Sequence, residues 1–124
     1  MRRVYEYDVF ILSHSLAIEI YKITKSFPRE ETFGLISQMR RSAYSIPMNL
    51  VEGASRKSSK EFAYFIDIAI GSCEEVRYQL LLSKDLTYIN EVELKQMDGK
   101  YEKVKMMLTK LAKRIAEGGK RTVD

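Results

Sequence analysis

Apolar residues recur at helical spacing along most of the chain, and this pattern predicts four helices. The stretch from Phe33 to Gly53 shows it most fully, because steps of three or four residues keep one side of a helix apolar. That stripe consists of Leu35, Met39, Ala43, Ile46, Leu50 and Gly53. Pro47 falls inside the pattern, where it removes a backbone donor and crowds the carbonyl of Ala43, so we expect a kink or a break there.

The first helix is predicted from Asp8, which suits a helix cap, to the turn before Pro28. Its apolar stripe is Val9, Leu12, Leu16, Ile20, Ile23 and Phe27. The single histidine, His14, shares a neighbouring face with Phe10, Ala17 and Tyr21. We interpret His14 as packed between aromatic side chains and not as a catalytic base, since the chain has no second histidine.

Pro28 suits the first turn of the second helix, and Glu30 and Glu31 place negative charge at its positive end. Gly53 is the predicted exit from that helix. A short basic connection follows, in which Arg56 and Lys57, together with Lys60, form a candidate anion-binding cluster beside a helix start. A solvated loop is the alternative interpretation of this cluster.

The third helix is predicted from Ser59 to Ile89, after a capping box of Ser58 and Glu61. Its core stripe is Phe62, Ile66, Ala69, Cys73, Val76 and Leu80. A second apolar stripe lies roughly opposite and contains Tyr64, Ile68, Gly71, Tyr78, Leu82, Leu86 and Ile89. Because a small four-helix bundle buries one stripe per helix, the second stripe predicts a contact with another copy of the chain. The predicted oligomer interface is therefore formed by Tyr64, Ile68, Tyr78, Leu82 and Leu86.

Glu75 interrupts the second stripe of the third helix. A carboxylate in an apolar contact is costly unless it is paired, so we expect an ion pair with Arg40 or Arg41 of the second helix. These two arginines point about 100° apart, so one can face a neighbouring helix while the other faces solvent or an anion.

Asn90 and Glu93 open the fourth helix, which is predicted to end at Gly118 and Gly119. Its apolar stripe is Leu94, Met97, Tyr101, Val104, Leu108, Leu111 and Ile115. The segment 99–121 carries eight Lys or Arg residues against two Glu, so its surface is basic. Four of these side chains fall on one side of the helix and are the candidate nucleic-acid-binding residues: Lys100, Lys103, Lys110 and Arg114. A solvated helix face is again the alternative.

Composition narrows the class of protein. A chain of 124 residues fits one domain, 1–124, and the helical spacing predicts an all-α fold. One cysteine and one histidine favour neither an internal disulfide nor a zinc site, which fits a cytoplasmic location without cofactors. Cys73 lies on the core stripe and is interpreted as a small buried hydrophobe. The sequence has no apolar run long enough to span a bilayer and no secretory signal.

The sequence carries no nucleophile with a partnering base, no glycine-rich phosphate loop and no metal constellation, so we do not expect an enzyme. Two classes of function remain. The chain is either an oligomeric accessory protein that binds RNA or DNA, or an oligomeric protein scaffold without a nucleic-acid role. The basic fourth helix favours the first class, and the second apolar stripe fits both.

Several short motifs together resemble a known family over nearly the full length of the chain. They are Gln38-Met39-Arg40-Arg41-Ser42-Ala43, Ser45-Ile46-Pro47, Asn49, Glu52-Gly53, Lys60-Glu61-Phe62, Ile68-Ala69, Gly71-Ser72, Glu75, Gln79-Leu80 and Tyr88-Ile89. With these residues the chain resembles the bacterial four-helix bundle proteins encoded in intervening sequences of 23S rRNA genes. It is also similar to the accessory variability determinant of diversity-generating retroelements.

The resemblance implies an antiparallel, up-down, left-handed four-helix bundle that closes into a homopentameric barrel with a basic surface. In the retroelement branch it further implies binding to nucleic acid and to a reverse transcriptase. The chain departs from the family pattern at Tyr44 and Met48, where smaller residues are common, and at Thr87, which replaces a frequent glycine.

Overall fold

The structure of the protein is a computed structural model that describes residues 3–118. Within that range the chain is all-α, with four α-helices and no strand. The helices are α1 (Asp8–Thr24), α2 (Leu35–Ala54), α3 (Ser59–Asp85) and α4 (Glu91–Gly118). Both α1 and α3 pack against α2 and α4, so the four helices contact one another in a ring around a common core.

The predicted apolar stripes fill that core. On α4 the spacing of three and four residues holds without error from Met97 to Ile115, and every apolar position of the stripe in this interval is buried. Leu94, at its start, is half-buried. On α2 the stripe is buried from Met39 to Gly53. Burial of one stripe from each helix is the main source of stability for a bundle of this size.

Two predicted capping motifs are confirmed. The Glu61 amide donates to Ser58 Oγ at 3.1 Å, which satisfies one of the free donors at the start of α3. At the start of α4 the Glu93 amide donates to Asn90 Oδ1 at 2.8 Å, and the Asn90 amide donates to Glu93 Oε1 at 2.9 Å. This reciprocal pair fixes the boundary between α3 and α4.

The beginnings of the first two helices differ from the prediction. Asp8 is the first residue of α1, and Tyr7 occupies the capping position. The segment that follows Pro28 forms a short 3-10 turn, Arg29–Glu31, and α2 begins only at Leu35. Gly34 occupies the capping position, and Glu31 Oε1 accepts the Leu35 amide at 3.3 Å, which satisfies one of the free donors at this later helix start.

Two predictions concern the interior and the end of α2. The helix continues through Pro47 without a break, so of the predicted kink or break the break is absent, and Pro47 is buried. Gly53 is not the exit residue, since α2 extends to Ala54. Glycine is required at position 53 because α2 and α3 approach each other closely there. An added Cβ would lie 2.9 Å from both Phe62 Cδ1 and Phe65 Cβ of α3.

α3 ends four residues before the predicted Ile89. Thr87 has a φ of 68°, in the left-handed region, and the Tyr88 amide donates to the Ser83 carbonyl at 2.8 Å. This arrangement is a common helix terminus in which glycine is the usual left-handed residue. Thr87 therefore ends the helix in a backbone conformation that glycine usually supplies.

Candidate functional site

The second apolar stripe faces outward along α3 within the single chain, but Ile89, which was predicted to belong to it, lies beyond the end of α3 and is buried in the core. We define the α3 stripe as the five predicted interface residues Tyr64, Ile68, Tyr78, Leu82 and Leu86. Tyr64 and Tyr78 are each 61% exposed, Ile68 and Leu86 are exposed to a smaller degree, and Leu82 is half-buried. Large exposed aromatic side chains in a row on one helix are typical of a surface that contacts another molecule.

Two exposed apolar residues of α2 lie beside the α3 stripe, and the sequence interpretation missed them. Tyr44 is 39% exposed and Met48 is 55% exposed. Both line a groove of about 510 Å³ between α2 and α3, together with Ile68. Their spacing from Arg41, three and seven residues, is the signal that places all three on the outer side of α2.

Polar side chains form the floor of this groove. The Ser45 and Ser72 hydroxyls share a short hydrogen bond between the two helices. Ser42 Oγ donates to Glu75 Oε1 at 3.2 Å and accepts a hydrogen bond from Gln79 Nε2, also at 3.2 Å. Small hydroxyl side chains thus allow α2 and α3 to approach closely while their polar atoms remain hydrogen-bonded.

The predicted ion pair of Glu75 is not formed by Arg40. Arg40 turns toward α1, where its Nε donates to Thr24 Oγ1 at 2.9 Å and its guanidinium lies 4.6 Å from the centroid of the Tyr21 ring. The sequence shows that Arg40 and Arg41 point in different directions, but it does not show which neighbouring helix lies on which side.

Arg41 is the arginine that shares the groove with Glu75. Among residues 3–118, however, Arg41 has no ion-pair partner within 4 Å, and no cation lies within 4 Å of the Glu75 carboxylate. Both residues are exposed. As far as residues 3–118 show, the groove therefore presents a cation without an ion-pair partner and a carboxylate that accepts a hydrogen bond from Ser42.

The candidate nucleic-acid-binding residues of α4 are all exposed, but they are not equivalent. Lys100 Nζ lies 3.4 Å from Glu19 Oε2 of α1, so part of its charge is neutralised within the chain. For Lys103, Lys110 and Arg114 the described residues provide no ion-pair partner. The two basic residues Lys120 and Arg121, which contribute to the basic segment 99–121, lie outside the described residues, as does Gly119.

Arg56 and Lys57, the second basic candidate, also differ from each other. Arg56 pairs with Glu52 and packs over the Phe65 ring with its guanidinium carbon 4.9 Å from the ring centroid. These contacts make Arg56 a structural residue that joins the end of α2 to α3. Lys57 is exposed in the connection, and the described residues offer it no ion-pair partner.

The side chains of Cys73 and His14 lie in different surroundings. The Cys73 thiol is buried and donates to the Tyr101 carbonyl at 3.1 Å, and burial raises its pKa to about 12. His14 is exposed and stacks on Phe10 with 5.9 Å between ring centroids. Within residues 3–118 no group of three or more His, Cys, Asp or Glu side chains is arranged to hold a metal ion.

Within residues 3–118 no helix is both long enough and apolar enough to cross a bilayer.

Comparisons with known proteins agree with this architecture. The family model described as 23S rRNA-intervening sequence protein matches residues 5–110. A crystal structure of a protein with unknown function from the S23 ribosomal protein family of Bacteroides thetaiotaomicron VPI-5482 superimposes with a TM-score of 0.76 at 24% sequence identity. The match covers 85% of this chain and 98% of that one, which shows a shared fold. No sequence among the curated proteins matches.

Proposed function

The chain belongs to the 23S rRNA-intervening sequence protein family, and we propose that it is a non-enzymatic, homo-oligomeric four-helix bundle that binds nucleic acid without strong sequence preference. The observation that carries the self-association is the exposure of Tyr64 and Tyr78, 61% each, on the outer side of α3. An exposed aromatic row gains more from burial against another copy than scattered apolar residues do.

We infer an up-down, antiparallel arrangement of the helices. Contacts between α2 and α3 support it, because Met39 near the start of α2 meets Ser83 near the end of α3, while Gly53 at the end of α2 meets Phe62 at the start of α3. Short connections between successive helices favour the same arrangement. The left-handed twist and a ring of five subunits are proposed from the resemblance to the family.

The nucleic-acid part of the proposal is supported by Lys103, Lys110 and Arg114. These exposed cations of α4 lack an ion-pair partner in the described part of the chain, so their charge is available to phosphates. Cyclic repetition in an oligomer multiplies such a surface. We place the protein in the cytoplasm, since a single cysteine fits a reducing compartment.

Binding of a fluorescent RNA and of a duplex DNA, followed by anisotropy across a salt series, tests the nucleic-acid part. We expect the logarithm of the binding constant to fall linearly with the logarithm of salt concentration, with a slope of about −0.7 to −0.9 per phosphate contacted. Changing Lys103 and Lys110 together to Gln should weaken the binding of all nucleic acids alike and make the salt dependence less steep.

A matched double variant, Lys22→Gln with Lys95→Gln, removes the same charge from an exposed position on α1 and from one on α4 beside α3. It should reduce binding less than the Lys103 and Lys110 variant. Equal losses in the two double variants would show that net charge, and not this surface, attracts the nucleic acid.

A second candidate function is an oligomeric scaffold, or an accessory protein of a reverse transcriptase, without a nucleic-acid role of its own. The observation that favours it is the engagement of Lys100 by Glu19 and of Arg56 by Glu52, which lowers the positive charge available on both candidate surfaces. Absence of RNA and DNA binding at low salt by an assembled protein would select this function.

A further inference from the structure

The outer sides of α2 and α3 carry complementary features that the single chain does not use. Arg41 lies on the outer side of α2, with Tyr44 and Met48 three and seven residues further along. Glu75 lies on the outer side of α3 within the α3 stripe. Each helix thus presents one charge, opposite in sign to the other, together with exposed apolar side chains.

The spacing along the two surfaces matches. Arg41 and Met48 are seven residues apart, which is two helical turns, or about 10.5 Å. On α3, Ile68 and Leu82 are each seven residues from Glu75, one on either side. If Arg41 meets Glu75 of another copy, Met48 therefore reaches an apolar residue of the α3 stripe whichever way the two helices run.

The position of Tyr44 fits the same contact. In the two possible helix directions its ring comes level with Tyr78, three residues after Glu75, or with Ser72, three residues before it and next to the exposed Gly71. Gly71 is exposed, and an added Cβ there would have no neighbour within 4 Å, so the surface above it has room for a ring. Tyr78 offers an aromatic partner instead.

From these observations we infer that α2 of one copy packs on α3 of the next, and that Arg41 pairs with Glu75 of that neighbouring copy. The inference rests on the proposed homo-oligomer and names its interface. The occupant of the surface is a second copy of this chain because Arg41 and Glu75, which have no ion-pair partner within residues 3–118, carry opposite charges, and the chain itself supplies both halves of the contact.

Such a contact uses two different surfaces of each subunit and therefore repeats head to tail. Head-to-tail contacts close into rings when the rotation between subunits allows it.

The inference is tested by charge reversal and by mixing. Arg41→Glu and Glu75→Arg should each reduce the assembly to single chains of 14.4 kDa in light scattering at micromolar concentration, with helicity unchanged in circular dichroism. Mixing the two variants in equal amounts should restore part of the assembly, in particles that contain both chains, because contacts between unlike variants pair opposite charges while a ring of five keeps at least one contact between like charges. Only a contact between copies predicts rescue on mixing, because neither variant can repair a pair within its own chain.

Lys113→Glu and Glu102→Arg, which reverse exposed charges on α4, serve as matched controls and should leave the assembly intact. If the wild-type chain assembles and both single reversals assemble equally well, the Arg41–Glu75 interface is wrong while the proposed homo-oligomer stands. If the variants dissociate but mixing restores nothing, the interface is also wrong. A wild-type chain that is monomeric overturns the oligomer and the interface together.

Discussion

Gly53 of α2 lies so close to Phe62 of α3 that an added Cβ would stand 2.9 Å from Cδ1 of that ring. The contact is tighter than any ordinary van der Waals contact, and Phe62 is fully buried, so the ring has little room to move. A glycine inside a helix normally weakens it, by about 1 kcal/mol relative to alanine. Here the absence of a side chain is what lets α2 and α3 approach.

We therefore predict that Gly53→Ala lowers the free energy of unfolding by about 1–3 kcal/mol, as expected for overpacking in a core. Urea unfolding followed by circular dichroism at fixed protein concentration measures it. Gly99→Ala in α4 is the control, since an added Cβ there has no neighbour within 4 Å, and it should stabilise by up to about 1 kcal/mol. A Gly53→Ala protein as stable as the wild type would contradict the close approach.

Tyr101 is fully buried, and in the described structure its hydroxyl oxygen has no hydrogen-bond partner. Burial of a polar group without a partner costs about 1–3 kcal/mol in proteins. Tyr101→Phe removes the hydroxyl and leaves the ring in the core, so the variant should be at least as stable as the wild type. Its thermal midpoint gives the comparison, and a clear decrease would show that the hydroxyl has a partner in solution.

Cys73 should react with thiol reagents only when the protein unfolds. Its thiol is buried, and burial raises its pKa from 9.0 to about 12, so both access and thiolate formation are suppressed. Titration with a chromogenic disulfide at pH 8 should detect no thiol in the folded protein and one per chain in guanidinium. Rapid labelling of the folded chain would show that the region around Cys73 opens to solvent.

The same thiol links stability to alkaline pH. Because its folded pKa is raised, the contribution of the protonated thiol is present below about pH 9 and is lost as pH rises toward 12. Cys73→Ala should therefore show a smaller loss of stability than the wild type over this interval. Parallel losses in the two proteins would mean that other groups control the alkaline transition.

Arg77 joins α3 to α4 through a two-point contact with Asp98, in which Nε donates to Oδ1 at 2.8 Å and Nη2 donates to Oδ2 at 3.2 Å. A lysine keeps the charge but not the planar fork, so Arg77→Lys should lose about 1 kcal/mol of stability. A double-mutant cycle with Asp98→Asn measures the coupling between the two residues. Additive effects would show that the two side chains act independently in solution.

The core of this fold follows from residue spacing, because a stripe with steps of three and four can bury only one side of a helix. The Ser58–Glu61 and Asn90–Glu93 caps were also predictable, since they depend on residues three apart in the chain. The direction in which the Arg40 side chain points was not predictable from the sequence. Spacing gives its angle on α2, whereas the order of helices around the bundle decides that this angle faces α1 and Tyr21.

The roles of Gly53 and Met48 also depend on tertiary packing and were not predictable from spacing. A glycine near the end of a helical pattern indicates a helix terminus, which is why Gly53 was predicted to end α2. Its role in packing is visible only from its contact with Phe62. Met48 lies off the core stripe, so its place beside Ile68 in the groove depends on the packing of α2 against α3. Local spacing therefore predicts which residues are buried in the bundle, while the composition of its outer surfaces depends on tertiary packing.

The most direct test of the account is the mass of the wild-type chain in solution, measured by light scattering coupled to gel filtration over a range of micromolar concentrations. The exposed α3 stripe and the groove beside it predict a particle several times the 14.4 kDa of one chain, with the ring of five as the proposed number. Introducing Tyr64→Glu and Tyr78→Glu together should reduce the particle to a helical monomer, because charged side chains are costly to bury in a contact. A wild-type protein that remains at the mass of a single chain at every concentration would contradict the account.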